Sequence, residues 1–395
     1  GAGASPSWNV FCIDDHLSFT PSHTVTGDLR LRIERDRVRH LGDGMFWAPA
    51  GLFEQDGTPA LTCTRWLLQR IVREMAEAGV TAQIGHELEF TLFGSVTEEW
   101  SSYGLNAVLE KERFVGDLLE AADVADLAIE QIHAEAGRNQ FEISIAPADP
   151  VTAADNATLA RILVSRVARA HGLRASFSPV PVVGDVGNGA HQHVSFRQGD
   201  RPILSGGTGP HGLTPAGGSV IAGIVRALPD FMAVFAGSVL SHLRLQPAMW
   251  AGAHRCWGLE NREAAVRLCA LNSGNPYGAH IEIKPIDPSS NVYLSSTAIL
   301  GAAHAGLTEA LPLPPEVSVN PTGLAEEERV RLGVTTLPTG STEILQNLEG
   351  SALARHLFGP LTLEAFLAVR NYEFAEYGSQ HPGEVAGRFR FAWTF

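Results

Sequence analysis

Four short segments of this chain alternate apolar and polar residues with a period of two, and each polar set is rich in carboxylate or imidazole. Residues 84–92 place Glu87, Glu89 and Thr91 on one face of a strand and Leu88, Phe90 and Leu92 on the other. Residues 139–145 set Gln140, Glu142 and Ser144 against Phe141, Ile143 and Ile145, with Glu135 seven residues before Glu142. After a glycine-rich turn, His191, His193 and Ser195 point together. In the fourth segment His280, Glu282 and Lys284 oppose Ile281 and Ile283. Any one of these alone reads as a half-solvated strand. Four of them, apolar behind and charged in front, predict a sheet curved around a polar cavity.

Carboxylates side by side on an apolar strand repel one another and resist desolvation unless they are paired or metal-bound. Five glutamates (Glu87, Glu89, Glu135, Glu142, Glu282) and His191 supply two clusters of hard ligands, a donor set suited to Mg²⁺ or Mn²⁺. Arg262 and Arg267 lie near the fourth strand in sequence, and Arg244 precedes Pro247. Arginine beside a divalent cation is the usual apparatus for holding phosphates during phosphoryl transfer. The chain has no GxxxxGK[ST] motif, which excludes a P-loop nucleotide site.

A formal charge of −14 disfavours nucleic acid or an anionic membrane as partner and leaves small molecules. Only Lys111 and Lys284 among 29 basic residues are lysine, so Lys284 on a polar strand face stands out. Cys12, Cys63, Cys256 and Cys269 are far apart and form no CxxC pair. Their spacing argues against a disulfide framework or a zinc site and fits a reducing cytoplasm. No apolar run approaches the roughly 20 residues of a membrane span, and no signal peptide is visible at the start.

The first sixty residues read as β-rich, with alternation at 29–33 and an Asp56-Gly57 turn. A helix then begins with Thr64 as its cap and Trp66, Leu67, Ile71 and Met75 on one face. Further helices are predicted near 112–127, 156–171, 217–235, 290–306, 343–357 and 363–377. Several strands look antiparallel and loop-connected, which favours an α+β fold over a doubly wound sheet.

These segments resemble the glutamine synthetases. Residues 85–90 resemble the family's G-P-E-x-E-F strand, and 133–142 its H-H-E-x-G-P-G-Q-x-E segment. Residues 184–196 resemble G-D-N-G-S-G-M-H-x-H-x-S-L, residues 261–267 resemble N-R-x-x-x-x-R, and 281–294 resemble I-E-x-R-x-P-D-P-x-A-N-P-Y-L. The five motifs occur in family order over most of residues 62–310. The resemblance implies a catalytic domain over 61–395 with an antiparallel sheet lining the site. It also implies a partial N-terminal β-grasp domain over 1–60, and a dodecamer of two hexameric rings. ATP would be a co-substrate, with two or three Mg²⁺ or Mn²⁺ ions per site. One ion would be held by Glu89, Glu135 and Glu142, the second by Glu87, His191 and Glu282. His193, Ser195, His280 and Arg267 would bind the nucleotide, with Arg262 also on its phosphates. Glutamate would meet Arg244, Lys284, Gly187, Glu135 and His191. Arg244, Arg262, Arg267 and Lys284 would be the catalytic cations.

Departures from the family pattern bear on the second substrate. Trp250 stands where the family carries a glutamate that binds and deprotonates ammonium. Residues 1–8, the counterpart of a second ammonium-site segment, hold no acid. Ammonium needs negative charge beside it, whereas an indole packs against an organic amine. The resemblance therefore implies a γ-glutamylamide synthetase acting on a polyamine, ethanolamine, another alkylamine or an aniline. Glutamine synthetase proper and a non-catalytic member of the family are the alternatives. Val186, His280 and Lys284 replace an asparagine and two arginines of the family pattern.

Overall fold

The computed structural model describes residues 2–94, 100–275 and 277–393. Residue 1, part of the acid-free N-terminal segment, lies outside them. The N-terminal part contains β1 (Ala2–Ala4), β2 (Leu29–Ile33), β3 (Arg39–His40), β4 (Phe46–Trp47) and β5 (Ala50–Phe53). β1, β2 and β5 form a small antiparallel sheet over a core of Ala4, Leu29 and Ala60.

The rest is built on one large sheet of β6 (Val80–Phe93), β7 (Ile129–Ala134), β8 (Gln140–Ala148), β9 (Arg174–Ser176), β10 (Gln192–Gln198), β11 (Arg201–Pro202), β12 (His254–Leu259), β13 (Ala264–Cys269), β14 (His280–Ile283) and β15 (Thr335–Thr336). Its order is β15-β12-β13-β14-β10-β6-β8-β7, with β9 beside β6 and β11 beside β10. Every pairing is antiparallel except β12–β13. The fold is α+β, as the loop-connected strands predict. Leu88, Phe90, Phe141, Ile143, Val194, Ile281 and Ile283 are buried on the back of this sheet.

Helices cover that back face. Pro150–Ala170 and Thr64–Glu77 pack against β6, while Pro215–Phe235 packs closely on Val292–Thr308. The latter pair touches through glycine: a Cβ on Gly223 would sit 2.3 Å from the Ala302 carbonyl oxygen and 2.8 Å from Gly306 Cα. Pro215–Phe235 is long and apolar enough to span a membrane, but it lies mostly inside the fold as a core helix. Ala352–Tyr377 passes the same length and composition test, yet Gly359 at φ 72° before Pro360 breaks its course.

Several helix ends differ from those predicted. Cys63 occupies the cap position of the first helix and Thr64 is its first residue, without a side-chain cap bond. Leu68 joins the buried face, and Trp66 is only partly buried. The helix expected from 156 starts at Pro150, because Asp149 caps Thr152 N and proline suits the first helical position. The C-terminal break falls at Ser351, whose hydroxyl caps Ala354 N; the helices are Ser341–Gly350 and Ala352–Tyr377. Arg65 ties the two parts of the chain together. Its guanidinium pairs with Asp155 at 2.9 and 3.0 Å and with Glu34 at 2.9 Å.

Candidate active site

Strand register brings the four polar faces together. Glu89 stands opposite Glu142, Glu87 opposite Ser144, and His133 opposite Glu142 on the other side. Glu282 pairs across with both His193 and Arg267. His191 lies just before β10, but its carbonyl accepts from Glu87 N, and the Gly189 carbonyl accepts from Glu89 N. The glycine-rich turn is thereby laid along the acidic strand.

Carboxylates and imidazoles interlock there. Glu87 Oε2 is 3.3 Å from His191 Nδ1, and Glu87 Oε1 is 3.1 Å from His193 Nε2. His191 Nδ1 is also 3.5 Å from Glu282 Oε1. Glu135 pairs with His133 Nε2 at 2.9 Å, and Glu142 is 3.8 Å from the same nitrogen. Three carboxylate-bearing sets converge closely enough to hold a cation: Glu87–Glu142–His191, Glu87–His193–Glu282 and His133–Glu135–Glu142. Glu89 belongs to none of these sets; its Oε2 accepts from Gln140 Nε2 at 3.1 Å and Gly189 N at 2.8 Å.

The charges are unevenly balanced. Burial, then repulsion from Glu87, Glu89, Glu135 and Glu282, pushes the Glu142 carboxyl well above its ordinary range. Burial would also raise Glu87, but His193 and His191 outweigh it and hold this carboxyl well below the usual value. Burial likewise opposes ionisation of Glu282, and Lys284, His193 and His191 together reverse that. One carboxylate left frustrated among five is what a divalent cation relieves. The oxygen-rich donor set fits Mg²⁺ or Mn²⁺.

Cations flank the acids. Lys284 Nζ is 2.7 Å from Glu282 Oε1, and Arg267 bridges Glu282 Oε2 at 3.1 Å and Glu260. Arg244 is buried with one terminal nitrogen 3.1 Å from His191 Nε2, and its other terminal nitrogen has no hydrogen-bond partner among the described residues. That free donor beside the acidic cluster is ready for an anionic ligand group. Gly189 keeps this corner open: a Cβ there would lie 2.6 Å from both Arg244 and His191 Nε2 and 3.0 Å from Glu89 Oε1. A Cβ on Gly187 would strike the Pro179 carbonyl oxygen at 2.5 Å, so glycine is required for this close backbone approach.

On the other side of Glu87 opens a cavity of about 260 Å³ lined by Gly85, Glu87, Ser144, His193, Ser195, Tyr277 and His280. Burial alone would lower the His193 pKa; Glu87, a hydrogen bond with Cys269 and Glu282 lift it well above the ordinary value. Arg262 is the outlier among the expected phosphate ligands. It is exposed, outside the buried ion network, with its guanidinium 6.0 Å from the Trp250 ring.

A model of the glutamine synthetase catalytic domain matches residues 61–386. The chain belongs to the glutamine synthetase family. A gamma-glutamylpolyamine synthetase, GlnA3, of Streptomyces coelicolor is 34% identical, the match covering 100% of this chain and 87% of that protein. A glutamine synthetase of Pyrococcus abyssi is 32% identical over 83% of this chain and 74% of its own length. Among solved structures, one described as a novel glutamine synthase homolog superposes with a TM-score of 0.89 at 30% identity, covering 100% of this chain and 91% of that one. The ligand-free structure of GmaS has the same fold, with a TM-score of 0.82 at 23% identity over 96% of this chain and 87% of its own.

Within this glutamine synthetase fold, Trp250 sits on a loop held from outside. Glu263, buried, accepts from Ala248 N at 3.1 Å and Trp250 N at 2.9 Å, and both loop residues have positive φ. Gly252 presses the loop onto Lys284, where a Cβ would lie 2.7 Å from the lysine Cβ. The indole itself is half exposed.

Sequence reasoning passed over Glu263, His133 and the Gln140–Asn188 hub. Gln140 Nε2 donates to Glu89, to the Gly187 carbonyl and to Asn188 Oδ1, and Asn188 is fully buried beneath the turn. Only the alternation that sets Gln140 beside Glu142 hinted at this role. Gly189→Ala is expected to fold, because its added methyl meets flexible side-chain ends. Displacing Arg244 and His191 should still cost about 10²-fold in kcat/KM. Phosphate-release kinetics beside a thermal melt check this, and unchanged kinetics would refute the cradle.

Proposed function

We propose that this chain is an ATP-dependent glutamate–amine ligase. It phosphorylates the γ-carboxylate of glutamate, and an organic amine then displaces the phosphate to form a γ-glutamylamide. The observation that carries the choice of amine is the Trp250 loop. Glu263, the acid that holds this loop, has both oxygens engaged by loop amides and so is not free to attract ammonium. An exposed indole instead offers an apolar, cation-attracting surface. The whole-chain match to a protein named as a γ-glutamylpolyamine synthetase supports the same reading.

On this reading, Glu87, Glu89, Glu135, Glu142, His191 and Glu282 hold the cations. When bound, two or three Mg²⁺ or Mn²⁺ ions neutralise the site and the phosphates. Arg244 and Lys284 orient glutamate, Gly187 contacts its backbone atoms, and Glu135 lies at its side. His193, Ser195 and His280 line the nucleotide cavity. Arg267 balances charge on the transferring phosphoryl group, and Arg262 reaches it from the rim. Holding both reactants in one geometry contributes the rest. Residues 1–60 would act as a partial β-grasp domain beside a catalytic domain of 61–395, in a dodecamer of two hexameric rings.

The test is phosphate release with ATP, Mg²⁺ and glutamate, screened against ammonia and a panel of amines headed by polyamines. An organic amine is expected to outperform ammonia, and Trp250→Ala to raise its KM roughly tenfold. If ammonia drives release best, the chain is a glutamine synthetase proper. If nothing does and neither Mn²⁺ nor ATP binds in calorimetry, it is non-catalytic.

A further inference from the structure

Three strands bring together a donor set of a different kind. Cys269 on β13 and His280 on β14 are direct register partners, and His193 on β10 stands opposite Glu282, two residues along from His280. Cys269 Sγ and one ring nitrogen from each histidine lie within 4.8 Å of one another. The two rings are 5.1 Å apart, tilted by 54°. Donors in a tetrahedral zinc site stand about 3.5 Å apart, so small side-chain rotations close the set.

A second observation concerns orientation. His280 Nδ1 lies 3.0 Å from the Gly278 carbonyl oxygen. A carbonyl only accepts, so Nδ1 carries the hydrogen, and in the neutral ring Nε2 is left to present its lone pair. This is the outer contact that orients a metal-binding histidine. Cys269 is buried and has no disulfide partner.

We propose that His193, Cys269 and His280 form a site for a thiophilic divalent cation of the Zn²⁺ type, beside the carboxylate cluster and sharing His193 with it. Thiolate and imidazole favour such an ion over Mg²⁺ or Mn²⁺. Binding takes Cys269 as thiolate and both histidines as neutral imidazoles, and the protons they give up leave to solvent. Three protein ligands leave a fourth position toward the cavity that His193 and His280 line. On the ligase reading this is the nucleotide's cavity, so zinc there competes with ATP. Only that consequence rests on the ligase reading; the site itself does not.

The test uses full-length protein stripped of metal and then held in excess Mg²⁺. Titrated Co²⁺ is expected to give a near-ultraviolet thiolate-to-cobalt charge-transfer band, which Zn²⁺ displaces. Cys269→Ser should remove the band and weaken Zn²⁺ binding on the order of 100-fold, while the Mn²⁺-induced rise in melting temperature remains. His280→Gln should weaken Zn²⁺ at least about tenfold, and it carries the test if Cys269→Ser does not fold. No band in the wild type, a band that survives Cys269→Ser, or an unchanged Zn²⁺ affinity in His280→Gln overturns the site. The spectrum needs no nucleotide, so failure of the ligase reading leaves this result legible; zinc inhibition relieved by ATP is read separately in the phosphate assay.

Discussion

Glu282→Ala is expected to cost about 3–5 kcal/mol of stability and to abolish phosphate release. The carboxylate is fully buried and sits between Lys284, Arg267 and His191. Lys284 is itself buried, and among the described residues its ion pair is with Glu282. Removing the carboxylate leaves the buried Lys284 ammonium unpaired beside a guanidinium that keeps only Glu260, which costs far more than the pair contributes when intact. Glu282→Gln separates the two roles, because it keeps the shape and part of the hydrogen bonding. It should recover some of the lost stability and none of the activity. Denaturant midpoints for the three proteins measure this; a loss below about 1 kcal/mol in the alanine variant would show that the network is not a structural keystone.

Glu142→Gln should act in the opposite direction on the metal-free protein. Glu142 is the buried carboxyl that its neighbours most disfavour as an anion. A neutral amide of the same shape removes that repulsion, so the metal-free melting temperature is expected to rise. The same change removes a member of two cation-holding sets. In the wild type, Mn²⁺ at a hundred times its dissociation constant should add about 2.7 kcal/mol of stability. Most of that increment should vanish in Glu142→Gln, with a loss of activity of at least ~10²-fold. Paired melts with and without Mn²⁺ read both effects. Equal metal-induced shifts in the two proteins would mean that Glu142 does not hold the ion.

The polar faces were legible because strand alternation is a local property. Glu87, Glu89, Glu142, His193 and Glu282 needed only a period of two to be set on one side. The α+β fold followed from the same strands and the helical stretches between them. Which residues meet across strands was not legible. His133 reaches Glu142 only because β7 lies beside β8, and Cys269 meets His280 only because β13 and β14 pair in one register. A search for CxxC spacing misses such a set, since its members come from three strands. One helix start shifted where a cap outranked periodicity, at Asp149 with Pro150, whereas the helix from Thr64 starts after Cys63 with no side-chain cap bond. Glu263 was hidden for another reason. It binds backbone amides, and backbone partners leave no trace in residue type.

That last contact also bears on how the protein can diversify. The loop's shape is dictated by a carboxylate outside it that grips main-chain N–H groups, so side chains at 248–250 can change without altering the loop's path. Positive φ at Ala248 and Trp250 makes glycine and asparagine the easiest replacements. Activation of the first substrate relies on strands whose register is locked by buried charges. On the proposed reading, choice of the second is delegated to an exchangeable tip, so new amine preferences can evolve by point mutation while the older chemistry stays intact.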